Sequence, residues 1–241
     1  MRNSHLVLAA ALATCLSSLP GFAQTAGGTQ TADPMAAYQR AIQSRDWPGA
    51  VAAAQQLVNQ SPTSANLVLL AKAQRDSRSG EAALATFERA IAAAKAEQPA
   101  AGSGDPAMAR WKDGLAEIYL SEGSALLFLK RTPEAIAAYN TAAQYASHPS
   151  LAYFNICALY YNSGDMNNAV SPCRKSVQAD PARANAWFIL GSVLFGNSPL
   201  DAKGSPVFSP DVKQALDKYL ELAPYGPHAS DVKAMLSMMA K

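Results

Sequence analysis

Residues Tyr153–Pro181 read YFNICALYYNSGDMNNAVSPCRKSVQADP. Within them Tyr153, Ile156, Cys157 and Tyr160 fall at i, i+3, i+4 and i+7, one apolar face of a helix. Asn162-Ser163-Gly164-Asp165 then breaks the pattern. Gly164 suits a helix-ending residue in the left-handed region, and Asp165 suits the cap of a following helix. A second apolar face follows in Ala169, Cys173, Ser176 and Val177, and Asp180-Pro181 closes it, because proline disfavours helix for the residue before it. Two short antiparallel helices result, and neither hides its apolar face alone. The same stencil lies 34 residues upstream: Tyr119, Gly123, Leu126, Ala135, Tyr139 and Ala142 stand for Tyr153, Cys157, Tyr160, Ala169, Cys173 and Ser176. A period of this length means stacked units rather than one globular core.

The stencil resembles the tetratricopeptide repeat: a large residue, Leu-Gly three positions on, a Tyr, a turn, then small-aromatic-small and a closing Pro. Here it is Tyr153, Ile156-Cys157, Tyr160, Gly164-Asp165, Ala169, Cys173, Ser176 and Pro181. A further copy keeps Leu67, Leu70-Ala71, Ala83, Phe87 and Ala90. The first keeps only Asp46-Trp47, Ala50, Leu57 and Pro62. The fifth starts with Trp187, Leu190-Gly191 and Leu194 and then meets an insertion, with its second helix expected over Pro210 to Leu222. The resemblance implies an all-α, right-handed superhelical solenoid of about five antiparallel helix pairs over residues 34–241, closed by a C-terminal capping helix from Ser230 to Met239. Ala83 to Ala135 spans about 18 residues more than one period. The surplus is expected in a loop at 96–105 (AEQPAAGSGD) and in a lengthened helix opened by Asp105-Pro106. Asp33-Pro34, Thr132-Pro133 and Ser209-Pro210 repeat that start signal. A second long loop, 196–209, carries Val207-Phe208, which is positioned to dock back on the stack.

The first residues read as a leader. Arg2 precedes an apolar run from Leu6 to Leu19, and Gly21-Phe22-Ala23 is a small-x-small site, so residues 1–23 are expected to be a secretory signal peptide. The alternatives are a membrane anchor, for which the run is short of the roughly 20 apolar residues a span needs, and a lipid anchor at Cys15, which Thr14 fits badly. Residues 24–33 are small and polar, a flexible lead-in. The expected location is therefore periplasmic or otherwise exported, with no direct membrane insertion after cleavage. Lys and Arg number 20 against 18 Asp and Glu, and no basic cluster appears, which argues against nucleic acid as a partner. Cys157 and Cys173 lie about equally far from the turn at Gly164-Asp165, on inward faces. In an oxidising compartment they are expected to form a disulfide; the other reading is two buried thiols packing as small apolar groups.

No stretch supplies a nucleophile with a base, a phosphate loop or a metal-ligand spacing, so neither catalysis, nor a metal, nor a cofactor is expected. His148 and His228 flank prolines and read as solvated, and Asp113, Glu117 and Glu122 read as a solvated helical face. In the resembled family the first helices line an inner concave face. Two series at the period project there, Leu120, Phe154, Phe188 and Leu127, Tyr161, Phe195, with Val68 and Arg75 upstream. The implied function is a non-enzymatic interaction scaffold of the bacterial envelope, holding a protein or peptide segment on that face. Alternatives are an accessory subunit of an outer-membrane assembly, secretion or cell-division complex, and a regulatory subunit of an enzyme. The same aromatics could instead pack on the next helix, or be covered by the chain's own tail. The phrase from Leu222 to Ala229 (LAPYGPHA) resembles tail repeats of envelope proteins of this family.

Overall fold

The computed structural model describes residues 33–100 and 106–240. The leader, the lead-in, Cys15 and the Asp105 cap lie outside the described residues, apart from Asp33. Asp33–Lys241 forms one compact unit. It comprises α1 (Pro34–Ser44), α2 (Trp47–Gln60), α3 (Ser64–Asp76), α4 (Gly80–Ala96), α5 (Pro106–Phe128), α6 (Thr132–Tyr145), α7 (Ser150–Asn162), α8 (Met166–Ala179), α9 (Ala184–Gly196), α10 (Pro210–Leu222) and α11 (Ala229–Met239). Each odd helix packs on the next even one, giving five antiparallel pairs, and α11 packs on the last.

The small-aromatic-small stencil is the core. Ala83, Phe87 and Ala90 are fully buried; so are Ala135, Tyr139 and Ala142, and Ala169, Cys173 and Ser176. The glycine of the stencil has a steric reason. A Cβ added at Gly123 would lie 2.5 Å from the Tyr139 ring, and one at Gly191 would lie 2.6 Å from Leu216. In the α7–α8 pair Cys157 replaces that glycine and Cys173 replaces that ring, and the two are joined by a disulfide with Cα atoms 4.9 Å apart. The far end of the same pair is tied by reciprocal hydrogen bonds: the Ser150 hydroxyl donates to the Ser176 carbonyl and the Ser176 hydroxyl to the Ser150 carbonyl, both at 3.0 Å and both buried.

Four of the hairpin turns are copies of one another. Arg45, Arg78, Lys130 and Gly164 have φ of 57°, 65°, 61° and 78°. The residue after each donates its N–H five residues back, to Ala41, Gln74, Leu126 and Tyr160, at 2.8–2.9 Å. That is the glycine-type helix stop with a charged residue in three of its four copies. Caps mostly follow the sequence: Asp33, Asp46 and Asp165 accept from backbone N–H groups at the starts of α1, α2 and α8. Thr132 differs. Helix α6 already includes it, and Arg131 is the cap residue, its guanidinium clamped on Glu134 at 2.6–2.7 Å. The fifth pair lacks the tight turn. Its connection folds as a small hairpin in which Leu200 pairs with Pro206 and Asp201 Oδ1 accepts from the N–H groups of Lys203 and Ser205, both at 2.8 Å.

Candidate functional site on the first helices

The six residues expected on the inner face fall into two groups. Leu120 and Leu127 on α5 and Phe154 and Tyr161 on α7 are half-buried. Phe154 carries the Arg183 guanidinium 5.6 Å from its ring centroid, and Arg183 is itself fixed by Asp180 at 3.2 Å and the Ser150 hydroxyl at 2.9 Å. A cation held over a ring from a neighbouring loop leaves the ring's edge for contact.

The C-terminal pair is different. Phe188 is 8% exposed and its face stacks on His228, centroids 3.8 Å apart and planes within 4°. It also meets Tyr161 edge-on at 6.3 Å and Tyr219 at 5.7 Å. Phe195 stacks on Phe208 from the long loop at 4.7 Å, while Val207 beside it stays 51% exposed. The solvated-loop expectation for His228 is thereby corrected: its ring lies over Phe188 and its backbone N–H donates to the Tyr219 hydroxyl at 3.0 Å. The partly accessible row therefore runs from Leu120 to Tyr161, and beyond Tyr161 the chain itself covers much of the face.

Among the upstream counterparts, Val68 is partly buried and Arg75 is turned onto Asp76 at 2.9 Å. On α5 Asp113 and Glu117 lie at the surface, as expected of a solvated face, and each has a partner there. Asp113 accepts from the N–H and hydroxyl of Ser147 at 2.7 and 2.9 Å, and Glu117 pairs with Lys72 at 3.3 Å. Glu122 occupies the leucine position of the stencil. Burial first, and then Glu88 across the α4–α5 seam, push its carboxyl up to about 7, against the opposing pull of Lys95. Nothing in the local sequence distinguishes Glu122 from a solvated carboxylate; only the stencil register does. Among the described residues no group of three or more His, Cys, Asp or Glu could hold a metal ion, and no helix is long and apolar enough to cross a membrane.

Helix order, stencil burial and repeated turns together define a tetratricopeptide-repeat solenoid. No protein-family model matches the sequence, and no curated protein matches it. Solved structures do. A crystal structure of MamA protein is similar over 79% of this chain and 90% of its own, with TM-score 0.57 and 19% identity. YrrB, a TPR protein with an unusual peptide-binding site, is similar over 82% and 88%, with TM-score 0.54 and 15% identity. PilW, a widely conserved type IV pilus biogenesis factor, is similar over 85% of each chain, with TM-score 0.56 and 16% identity. At these identities the likeness is one of fold: this chain has the tetratricopeptide-repeat fold.

Proposed function

We propose that this chain is a non-catalytic interaction scaffold of the bacterial cell envelope, holding a protein or peptide segment on the inner face of its solenoid. The observation that carries this reading is the row Leu120, Leu127, Phe154 and Tyr161 on adjacent first helices, which packs on the core and stays partly accessible. Side chains of this kind bind by burying area, at about 25 cal/mol per Å², while the rim sets specificity. Phe188 and Phe195 are the C-terminal boundary of that surface. YrrB, with its peptide-binding site, and PilW, with its role in pilus biogenesis, have this fold and so favour a peptide ligand and an envelope assembly. Export is supported by the leader-like residues 1–23 and by the disulfide, which suits an oxidising compartment.

The test is an envelope pull-down with the wild type and with Phe154→Ala/Tyr161→Ala, both checked for unchanged helix content. The expected result is loss of the specific partner from the double variant. A partner list identical in both would remove the row as the binding surface. Fractionation with intact mass of the mature protein checks the location: the periplasmic form is expected to begin at Gln24.

A further inference from the structure

The last helix carries a cluster that its covering role does not use in full. Three of the chain's seven methionines fall at 235, 238 and 239. They stand at i, i+3 and i+4 on α11 (Ala229–Met239), so all three project from one face of its closing turn. Closure of the stack explains part of this. Val232 is fully buried in the last core cluster, and Met235 and Met239 pack against that cluster from its edge. Met238, beside them, is 57% exposed. A side chain so exposed gains little from burial, and lysine, glutamine or glutamate would form helix there equally well.

Three thioethers at this spacing are a ligand set. The Cβ atoms of helical neighbours three and four apart lie about 5–6 Å from one another. A methionine side chain is unbranched, with three rotatable bonds and a polarizable sulfur, so three of them can bring their sulfurs onto one ion without moving the backbone. Met235 and Met239 reach it from the edge of the apolar core and Met238 from the solvent side, which gives the ion an entry path. The donors decide the metal. Thioethers are neutral and soft, and such sulfur selects copper(I). Zinc(II) sites are built instead from thiolate, imidazole or carboxylate. Among the described residues no group of three or more His, Cys, Asp or Glu could hold a metal ion. Cys157 and Cys173 do not compete for the ion, because they are bonded to each other and fully buried.

We infer that Met235, Met238 and Met239 form a binding site for one copper(I) ion, held by three thioether sulfurs on the last turn of α11. The ion exchanges solvent ligands for sulfur, and nothing is oxidised or reduced in the step. The site lies outside the inner-face row on α5 and α7, so it stands or falls independently of that row's function.

The test uses the mature, oxidised chain, labelled at its methionine methyls and titrated with silver(I) nitrate in chloride-free buffer. Silver(I) is the redox-inert stand-in for copper(I). The methyl resonances of Met235, Met238 and Met239 should shift together and saturate at one ion per chain. Those of Met35, Met108 and Met166, each on a helix of its own, should stay in place. Copper(I), in anaerobic competition with a coloured chelator, should show the same stoichiometry. Met238→Leu should weaken both ions by about tenfold or more, since even an outer-shell partner of a metal site is worth that. It should leave the melting temperature of the ion-free chain unchanged, because leucine and methionine form helix equally well and the side chain is exposed. No shift at the three methyls, equal shifts at all the methionines (an adventitious ion only), or unchanged affinity in Met238→Leu would each overturn the site. So would displacement of silver(I) by equimolar zinc(II), which thioethers alone do not hold.

Discussion

The bond between Cys157 and Cys173 occupies the place where, one unit earlier, the Tyr139 ring closes on Gly123. One arrangement fills the space between two helices with a ring, the other with two small side chains and a covalent link. Replacing both cysteines by alanine should therefore lose about 3 kcal/mol, the loop-closure estimate for a 16-residue separation. Cys157→Gly/Cys173→Tyr, which imports the neighbouring unit's packing, should recover a good part of that loss. Urea denaturation of the three chains decides, and a Gly/Tyr chain no firmer than the Ala/Ala chain would break the equivalence. The pairing was legible in the symmetry of the two cysteines about Gly164. Glu122 was not, since its fate depends on Glu88 and on burial across another helix pair. With its folded pKa raised from 4.5 to about 7, the native state holds a proton that the unfolded chain has already released over that range. Stability should therefore fall as pH rises from about 4.5 to 7, by roughly 1–2 kcal/mol once solvent screening of a partly exposed carboxyl is allowed for. Glu122→Gln should flatten this dependence in melts between pH 5 and 8 and be the more stable chain at pH 8; parallel pH profiles for the two would show that Glu122 is not the titrating group.

At the scale of the helix pair, the same turn is built four times with one glycine. Arg45, Arg78 and Lys130 hold the left-handed conformation that Gly164 adopts without strain, at a cost of about 1 kcal/mol each. The turn recurs because the hydrogen bond it closes, from the residue after it to the carbonyl five back, satisfies a helix end that would otherwise be buried without a partner. Lys130→Gly should therefore stabilise the chain by roughly 0.5–1 kcal/mol, and Gly164→Ala should destabilise it by a similar amount. Differential scanning calorimetry reads both; a lowered melting temperature for Lys130→Gly would mean that the lysine side chain contributes more than its backbone costs. Spacing located the turn at Gly164, because the apolar faces on either side leave only a few residues between them. It did not reveal the strain, because an arginine or lysine in sequence gives no sign of its φ. The long loop shows the opposite limit. Val207-Phe208 reads as a segment that docks back on the stack, and Phe208 does so on Phe195 while Val207 stays exposed. The hairpin that Asp201 ties in the backbone before it is not encoded by any repeat pattern.

Over the whole molecule, a stack of pairs must end, and the last apolar face needs a cover that presents water with something polar. The closing helix lies where the sequence places it: Met235, Leu236 and Met239 pack against the last core cluster, and Val232 is fully buried in it. His228 completes the cover, its ring on Phe188 and its backbone N–H on the Tyr219 hydroxyl. The ring it covers lies 40 residues earlier, which is why a histidine between Pro227 and Ala229 looks solvated when read alone. Ending the chain after Tyr225 removes this cover and exposes Phe188, Leu216 and Tyr219 together. The loss should be on the order of 3 kcal/mol in the C-terminal pairs, with self-association as the exposed face seeks a substitute. In a solenoid, energy passes mainly between neighbours, so amides of α1 to α4 should keep nearly their full hydrogen-exchange protection while α9 and α10 lose theirs. Equal loss of protection from α1 to α10 would mean that the five pairs open as one cooperative block. Graded loss would mean that the inner-face row, at the middle of the stack, is insulated from what happens at the cap.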